Sequence, residues 1–280
     1  VTLTRIGFAC NPYAPNVGDV LARGRAWCEA HHVEAWDSTS EEVDELARMI
    51  PGSDVVIVLG GDGTFLRTAR AIGDSAVPAL GVNLGRIGFL AKVETAGLER
   101  ALDQVAGGEY RVEERFRVAA TLERADGTSE RHICLNEVVV ARGQVVRMLQ
   151  VEVQVSGSHL ATYMADGVLV ATPTGSTAYS FSAGGAILDP RLRNMIITPV
   201  ASYLSALRSV VAGADQVVSL TLLDTHGQAI ISFDGQLDRP LAIGDRVEVR
   251  AHPTPFRLIE LAGSVPFYDL LREKAALLPS

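Results

Sequence analysis

A chain of 280 residues, 48% of them hydrophobic and dispersed along its length, has room for two domains with buried cores. No apolar run approaches the roughly 20 residues of a membrane span, and no basic-then-apolar segment marks a secretion signal, so a cytoplasmic protein is expected. A net charge of −8 argues against general nucleic-acid or anionic-membrane binding, and three scattered cysteines (Cys10, Cys28, Cys134) fit neither a disulfide framework nor a zinc site.

Leu3, Ile6, Phe8 and Ala9 predict a strand over 3–10, and Val17, Val20, Leu21, Gly24, Trp27 and Cys28 a helix after it. A short strand over 33–36 and a helix over 41–50 follow. Residues 55–59 are five consecutive branched apolar residues, the pattern of a parallel strand buried on both faces. They stop at Gly60-Gly61-Asp62-Gly63-Thr64, after which Phe65, Leu66, Ala69 and Ile72 resume a helical period. A strand over 78–83 runs into a second glycine turn at 84–88, and a helix around Leu98, Ala101, Leu102 and Val105 closes at Gly107-Gly108. This alternation predicts an α/β domain with a Rossmann-like parallel sheet over 1–108.

From Tyr110 onward the signals are strands, at 112–123, 133–140, 148–155, 160–163, 168–171, 217–223, 229–233, 247–251 and 256–261. They predict an all-β domain over 109–264. Phe267, Leu270, Leu271 and Leu278 predict an amphipathic helix over 265–280, returning to the first domain.

The turn at 60–64 carries the first chemistry. A strand, a glycine turn and a helix expose backbone N–H groups at the positive helix end, about half a unit charge, which suits a phosphate. A carboxylate there, Asp62, repels that phosphate unless it binds a metal or accepts a proton; alone, Asp-Gly is also a common turn. Lys92 and Lys274 are the only lysines among 25 basic residues, and no P-loop is present, so phosphate must be held by backbone, arginine and metal. A second stretch runs from a strand into Thr172-Pro173-Thr174-Gly175-Ser176-Thr177-Ala178-Tyr179-Ser180. Its small hydroxyl residues admit a polyanion or sugar, and Tyr179 and Phe181 suggest a lined pocket; the plain alternative is a serine-rich surface loop. Asn136-Glu137 interrupts an apolar run, as ribose ligands or as a satisfied strand-end pair, and Asp234-Gly235-Gln236 alone reads as a hairpin turn.

Taken together, these motifs resemble the NAD kinase family, of the bacterial ATP-NAD kinase type. The resemblance spans GGDGT at 60–64, the 81–90 stretch, Asn136-Glu137, 162–167, 172–180, Thr198-Pro199, 234–236 and the closing helix. GGDGT alone is shared with lipid, sphingosine and phosphofructo-kinases; the Asn-Glu pair with the threonine-glycine run is specific. The resemblance implies phosphorylation of the 2′-hydroxyl of the adenosine ribose of NAD by ATP (inorganic polyphosphate in some members), giving NADP and ADP. It implies Asp62 as proton acceptor, with Gly63 beside it and Arg67 and Arg147 lining the ligand. Asn136 and Glu137 would hold ribose and adenine-side groups, and Asp166 and Met164 the nicotinamide end. Thr174, Thr177, Ala178, Tyr179, Ser180, Phe181 and Ser182 would enclose the dinucleotide, and Gln236 would reach it from the β domain, placing the site between the domains. Gly60, Gly61, Gly63 and Thr64 would hold ATP phosphates. A divalent cation, Mg²⁺ or Mn²⁺, would ride on ATP without a protein metal site, and a homodimer or homotetramer would form. Many bacterial members carry arginine where Met164 stands, which leaves NAD against NADH preference open. Two other readings are a lipid or sphingoid kinase sharing the turn, and a non-catalytic dinucleotide-binding regulator.

Overall fold

The computed structural model describes residues 3–85, 88–143, 147–203 and 206–276. Its chain divides into two units, Val1–Glu114 with Phe256–Ser280, and Arg115–Pro255. The first begins β1 (Arg5–Cys10), α1 (Val17–Ala30), β2 (Glu34–Thr39), α2 (Val43–Met49), β3 (Val55–Leu59), α3 (Asp62–Ile72) and β4 (Ala79–Asn83). It continues through β5 (Ala91–Glu94), α4 (Leu98–Ala106) and β6 (Tyr110–Arg115). β1 pairs in parallel with β2 on one side and β3 on the other, and β3 with β4. The strand order therefore reverses between β1 and β3, the point where open α/β sheets leave a crevice at the carboxyl ends of their strands.

All five residues of β3 are buried, as a strand covered on both faces requires. Ile57 and Leu59 join Ile6 and Phe8 of β1, Trp27 and Cys28 of α1, and Leu98 and Leu102 of α4 in one core. Val56 and Val58 point the other way by the two-residue period of a strand.

The second unit holds β7 (Val118–Glu123), β8 (Ser129–Cys134), β9 (Glu137–Arg142), β10 (Leu149–Val155), β11 (Ser158–Ala165) and β12 (Gly167–Ala171). After a short α5 (Tyr179–Ser182) come β13 (Asn194–Val200), β14 (Val210–Gly213), β15 (Val218–Asp224), β16 (Ala229–Phe233), β17 (Leu237–Leu241) and β18 (Arg246–Ala251). They form two antiparallel sheets, β11-β10-β15-β18-β7-β8 and β14-β13-β12-β9-β16-β17. Alternate residues of both, among them Val118, Ala120, Val138, Val140, Val151, Val168 and Ile231, meet in one shared core.

The chain then returns to the first unit as β19 (Phe256–Leu261) and α6 (Phe267–Ala276). β19 pairs in parallel with β4, Leu258 opposite Ala79. This corrects the sequence boundaries of 109 and 264: β6 and β19 belong to the first sheet, because strand membership is set by the partner and not by the strand's own pattern. Two expected strands are also divided. Residues 112–123 split into β6 and β7, and 133–140 into β8 and β9, so Asn136 lies where the chain leaves one β-sheet for the other. β13, β14 and β17 are strands that the sequence reading omits. α6 packs where the closing helix was expected: its Phe267 ring lies 5.9 Å from that of Phe89, and Lys274 Nζ sits 5.0 Å over the same ring. No described helix is long and apolar enough to cross a membrane.

Candidate active site

In the first unit, Asp62 is the first residue of α3, directly beyond β3 at the point of strand reversal. Its carboxylate is held from one side by three consecutive backbone N–H groups. Phe89 donates to Oδ2 at 2.9 Å, and Leu90 and Ala91 donate to Oδ1 at 3.0 and 3.3 Å. The stretch comes so close that a Cβ on Gly88 would lie 2.0 Å from Oδ1. An ionised carboxylate offers about four acceptor positions. Two bonds on Oδ1 and one on Oδ2 leave the open position on Oδ2, counted among the described residues.

The turn around it divides into a structural and an open part. Gly60 donates its N–H to Val82 O at 2.9 Å, and a Cβ on it would lie 2.3 Å from Thr64 Oγ1. Thr64 is buried. Gly60 and Thr64 therefore pack closely against each other within the turn. Gly61 and Gly63 are different: a Cβ on either would meet nothing within 4 Å, so a ligand could approach the backbone there. Arg67, one helical turn on, pairs with Glu41 at 3.3 Å.

In the second unit, the feature around which the predicted residues gather is Asp234, which sequence reading leaves as an ordinary turn residue. Its carboxylate accepts the N–H groups of Leu135, Asn136 and Glu137 at 2.9, 2.7 and 3.0 Å. The chain there is crossing between sheets, so those N–H groups lack strand partners and a carboxylate supplies them. Thr172 fixes the same crossing from the other side. It donates Oγ1 to Leu135 O at 2.5 Å and its N–H to Asn136 O at 2.8 Å. Gly175 passes so near that a Cβ would sit 2.2 Å from Asn136 O.

Glu137 is 5% exposed, and burial, reinforced by the nearby negative charge of Asp234, pushes its carboxyl up to about 8. Its Oε2 and the Thr174 hydroxyl are buried oxygens with no hydrogen-bond partner among the described residues. Buried polar atoms are nearly always partnered, so a ligand rich in hydroxyl or polar groups would complete both.

The hydroxyl run is not uniform. Ser176 Oγ donates to Pro173 O at 2.7 Å and accepts from Leu188 N–H at 2.9 Å, and buried Ser180 lies 3.4 Å from the Thr198 hydroxyl. Thr177 Oγ1 donates to Thr174 O at 3.2 Å. These four bonds make the run a folded structural element. Tyr179, Phe181 and Ser182 are exposed, and Ala178 half-buried. Gln236 is half-buried, with its N–H given to Phe233 O at 3.0 Å.

Asp166 stands at the other end of the same strands. Ala171 lies opposite Glu137 and Gly167 opposite Ala141 in the β12–β9 ladder. Four residues of strand separate the two ends by about 13 Å. Asp166 Oδ1 pairs with Arg142 Nε at 2.8 Å, and Met164 and Arg147 are exposed nearby in sequence.

Among the described residues no group of three or more His, Cys, Asp or Glu side chains is gathered to hold a metal ion. The three cysteines are buried and form no disulfide, and burial pushes Cys10 and Cys28 up to about 11, away from reactivity at neutral pH.

Family models described as the ATP-NAD kinase N-terminal domain and C-terminal domain match residues 8–110 and 135–261. An NAD kinase of Heliobacterium modesticaldum is 39% identical over 279 residues, covering 96% of this chain and 97% of that protein. One of Geobacter metallireducens is 39% identical over 245 residues, covering 88% and 84%. The fold is shared with a yeast NADH kinase solved with NADH, at a TM-score of 0.86 and 21% identity over 99% of this chain and 88% of that one. It is shared too with an Archaeoglobus fulgidus NAD kinase solved with ATP, at a TM-score of 0.78 and 22% identity over 99% and 100%.

Proposed function

The chain belongs to the ATP-NAD kinase family, and from that premise we propose that it transfers the γ-phosphoryl group of ATP to the 2′-hydroxyl of the adenosine ribose of NAD. The observation that carries the chemistry is the Asp62 carboxylate, immobilised by three N–H groups beyond β3 with an acceptor position left on Oδ2. Oδ2 takes the hydroxyl proton while the ribose oxygen bonds to the γ-phosphorus and the bond from that phosphorus to the β–γ bridging oxygen breaks. Phosphoryl transfer of this kind depends mainly on positioning and charge stabilisation, so a fixed acceptor suffices. Gly61, Gly63 and the positive end of α3 receive phosphate, and Arg67 lies a turn along the same helix.

NAD is held along the second unit. Asn136, Glu137, Thr174 and Gln236 take the ribose and adenine side, where Glu137 and Thr174 offer their unpartnered oxygens. Asp166, Met164 and Arg147 take the nicotinamide side, and Thr177 to Ser182 flank the dinucleotide. Mg²⁺ or Mn²⁺ bound to the ATP phosphates supplies charge neutralisation, and the chain's own part is to bind, orient and accept the proton. Assembly as a homodimer or homotetramer and a cytoplasmic location belong to the same proposal; light scattering after gel filtration tests the first and cell fractionation the second.

The deciding assay is NADP formation by wild type and Asp62→Asn, with ATP, other nucleotides and polyphosphate as donors and NAD and NADH as acceptors. Loss of a positioned general base removes about 10²–10⁴-fold from turnover. Wild-type turnover in Asp62→Asn would refute the assignment of Oδ2.

A further inference from the structure

Both lysines of the chain act on the short segment that holds Asp62. Lys92 follows directly on Ala91, the third N–H donor, and its Nζ lies 2.5 Å from Glu260 Oε1 on β19. The pair is sunk in the protein, with side-chain exposures of 12% and 4%. Lys274, on α6, places its Nζ over the ring of Phe89, the first N–H donor, and Phe267 packs against the same ring. Sequence reading treats the scarcity of lysine as a lack of phosphate ligands; the two present are committed elsewhere.

The sheet explains how residues so distant in sequence converge. β3 covers one edge of β4. The other edge is divided lengthwise: β19 lies opposite Ala79, and β5 lies opposite Gly81, Val82 and Asn83. Glu260, two residues beyond Leu258, thereby comes beside the start of β5. The stretch from Gly88 to Lys92 is thus pinned at both ends by the returning chain, at Phe89 by α6 and at Lys92 by β19.

We propose that Lys92, Glu260, Phe267 and Lys274 are positioning residues for Asp62, acting through the backbone of residues 89–91. The inference rests on the reading of Asp62 as proton acceptor. Three N–H groups aimed at one carboxylate keep their aim only while the segment carrying them is fixed. Displacement of a reacting group by about 1 Å costs on the order of 10²-fold in rate. None of the four residues is among those proposed to touch NAD or ATP, so their loss reduces turnover and leaves substrate affinity in place.

The test uses the full-length protein. Lys92→Met/Glu260→Met removes the buried pair without stranding a charge. Lys274→Met removes the cation over Phe89, and Lys274→Arg retains one. We expect kcat to fall about 10-fold or more in the first two, with KM for NAD and ATP within about 2-fold of wild type, and to recover in Lys274→Arg. Amides of Phe89, Leu90 and Ala91 should exchange faster in Lys274→Met, a variant that leaves the buried pair intact if the double variant does not fold. In an Asp62→Asn background the same substitutions should cause no further loss, because the group they position is gone. An equal proportional loss in that background, or a rise in KM with kcat intact, overturns this inference and leaves the kinase reading standing. Wild-type turnover of Asp62→Asn alone overturns the role of Asp62 and this inference with it.

Discussion

Replacing Glu137 by Gln should make the second unit more stable, and by an amount that depends on pH. The folded carboxyl ionises near 8 against an ordinary value of 4.5. Between those values the unfolded chain has lost a proton that the native state keeps, so wild-type stability falls as pH rises through the interval. At about 1.4 kcal/mol per unit over about 3.5 units, the total is on the order of 5 kcal/mol, complete by about pH 8. Relaxation around the ionised group trims it, so a gain of about 2–5 kcal/mol is expected for Glu137→Gln at pH 8 and above. Below about pH 4.5 the gain should vanish, since both states of the wild type are then neutral at this position. The charged group facing Glu137 is Asp234, on the β16–β17 hairpin, and it adds to the cost of ionisation. Trp27 and Trp36 both belong to the first unit, so tryptophan fluorescence is blind to this change. Hydrogen exchange at the amides of Val138, Val139 and Val140 reads it directly, and comparing the two proteins at each pH cancels the intrinsic exchange rate. Parallel protection in wild type and Glu137→Gln from pH 5 to 9 would refute the reasoning.

Other substitutions test the two carboxylate clamps. Gly88→Ala puts a methyl group 2.0 Å from Asp62 Oδ1, so kcat should fall about 10²-fold with binding of NAD retained in calorimetry. Gly175→Ala drives a methyl group against Asn136 O at 2.2 Å and should lower stability by about 1–3 kcal/mol, seen as a drop in Tm. Asp234→Asn removes the charge beside Glu137, so the Glu137 carboxyl should titrate closer to its ordinary range in carbon-13 NMR. Chelation of divalent metal with EDTA should stop NADP formation, and added Mg²⁺ or Mn²⁺ should restore it.

Residues 55–64 could be read from sequence because a strand covered on both faces leaves no ambiguity of pattern, and the glycines that follow break it at once. β19 could not be placed that way: Phe256, Leu258 and Ile259 suit either sheet, and only the pairing of Leu258 with Ala79 decides. The Asn136-Glu137 pair was visible as polarity within an apolar run, but its cause was not. It marks a crossing between sheets, and the carboxylate that satisfies the crossing lies about 100 residues later, at Asp234. The same holds at Asp62. Its position on a helix start follows from the turn, whereas the N–H groups that hold it come from residues 89–91, whose approach is set by tertiary packing. Gly60 and Thr64 show a related limit, since their composition suits a phosphate cradle while the close contact between them is set by the fold of the turn.

The return of the chain to its first sheet also sets a schedule for synthesis. The edge of β4 is made early, and the strand that covers it at Ala79 arrives with Leu258, 179 residues later. At roughly 5–20 residues per second, a ribosome leaves the Ala79 end of that edge bare for about 10–35 s. The β-sandwich, contiguous from Arg115 to Pro255, is fully emerged before the sheet that began first is complete. A prematurely terminated chain lacking the last segment would keep an open, apolar strand edge, the kind of surface that recruits other strands and marks a nascent protein for chaperones or degradation.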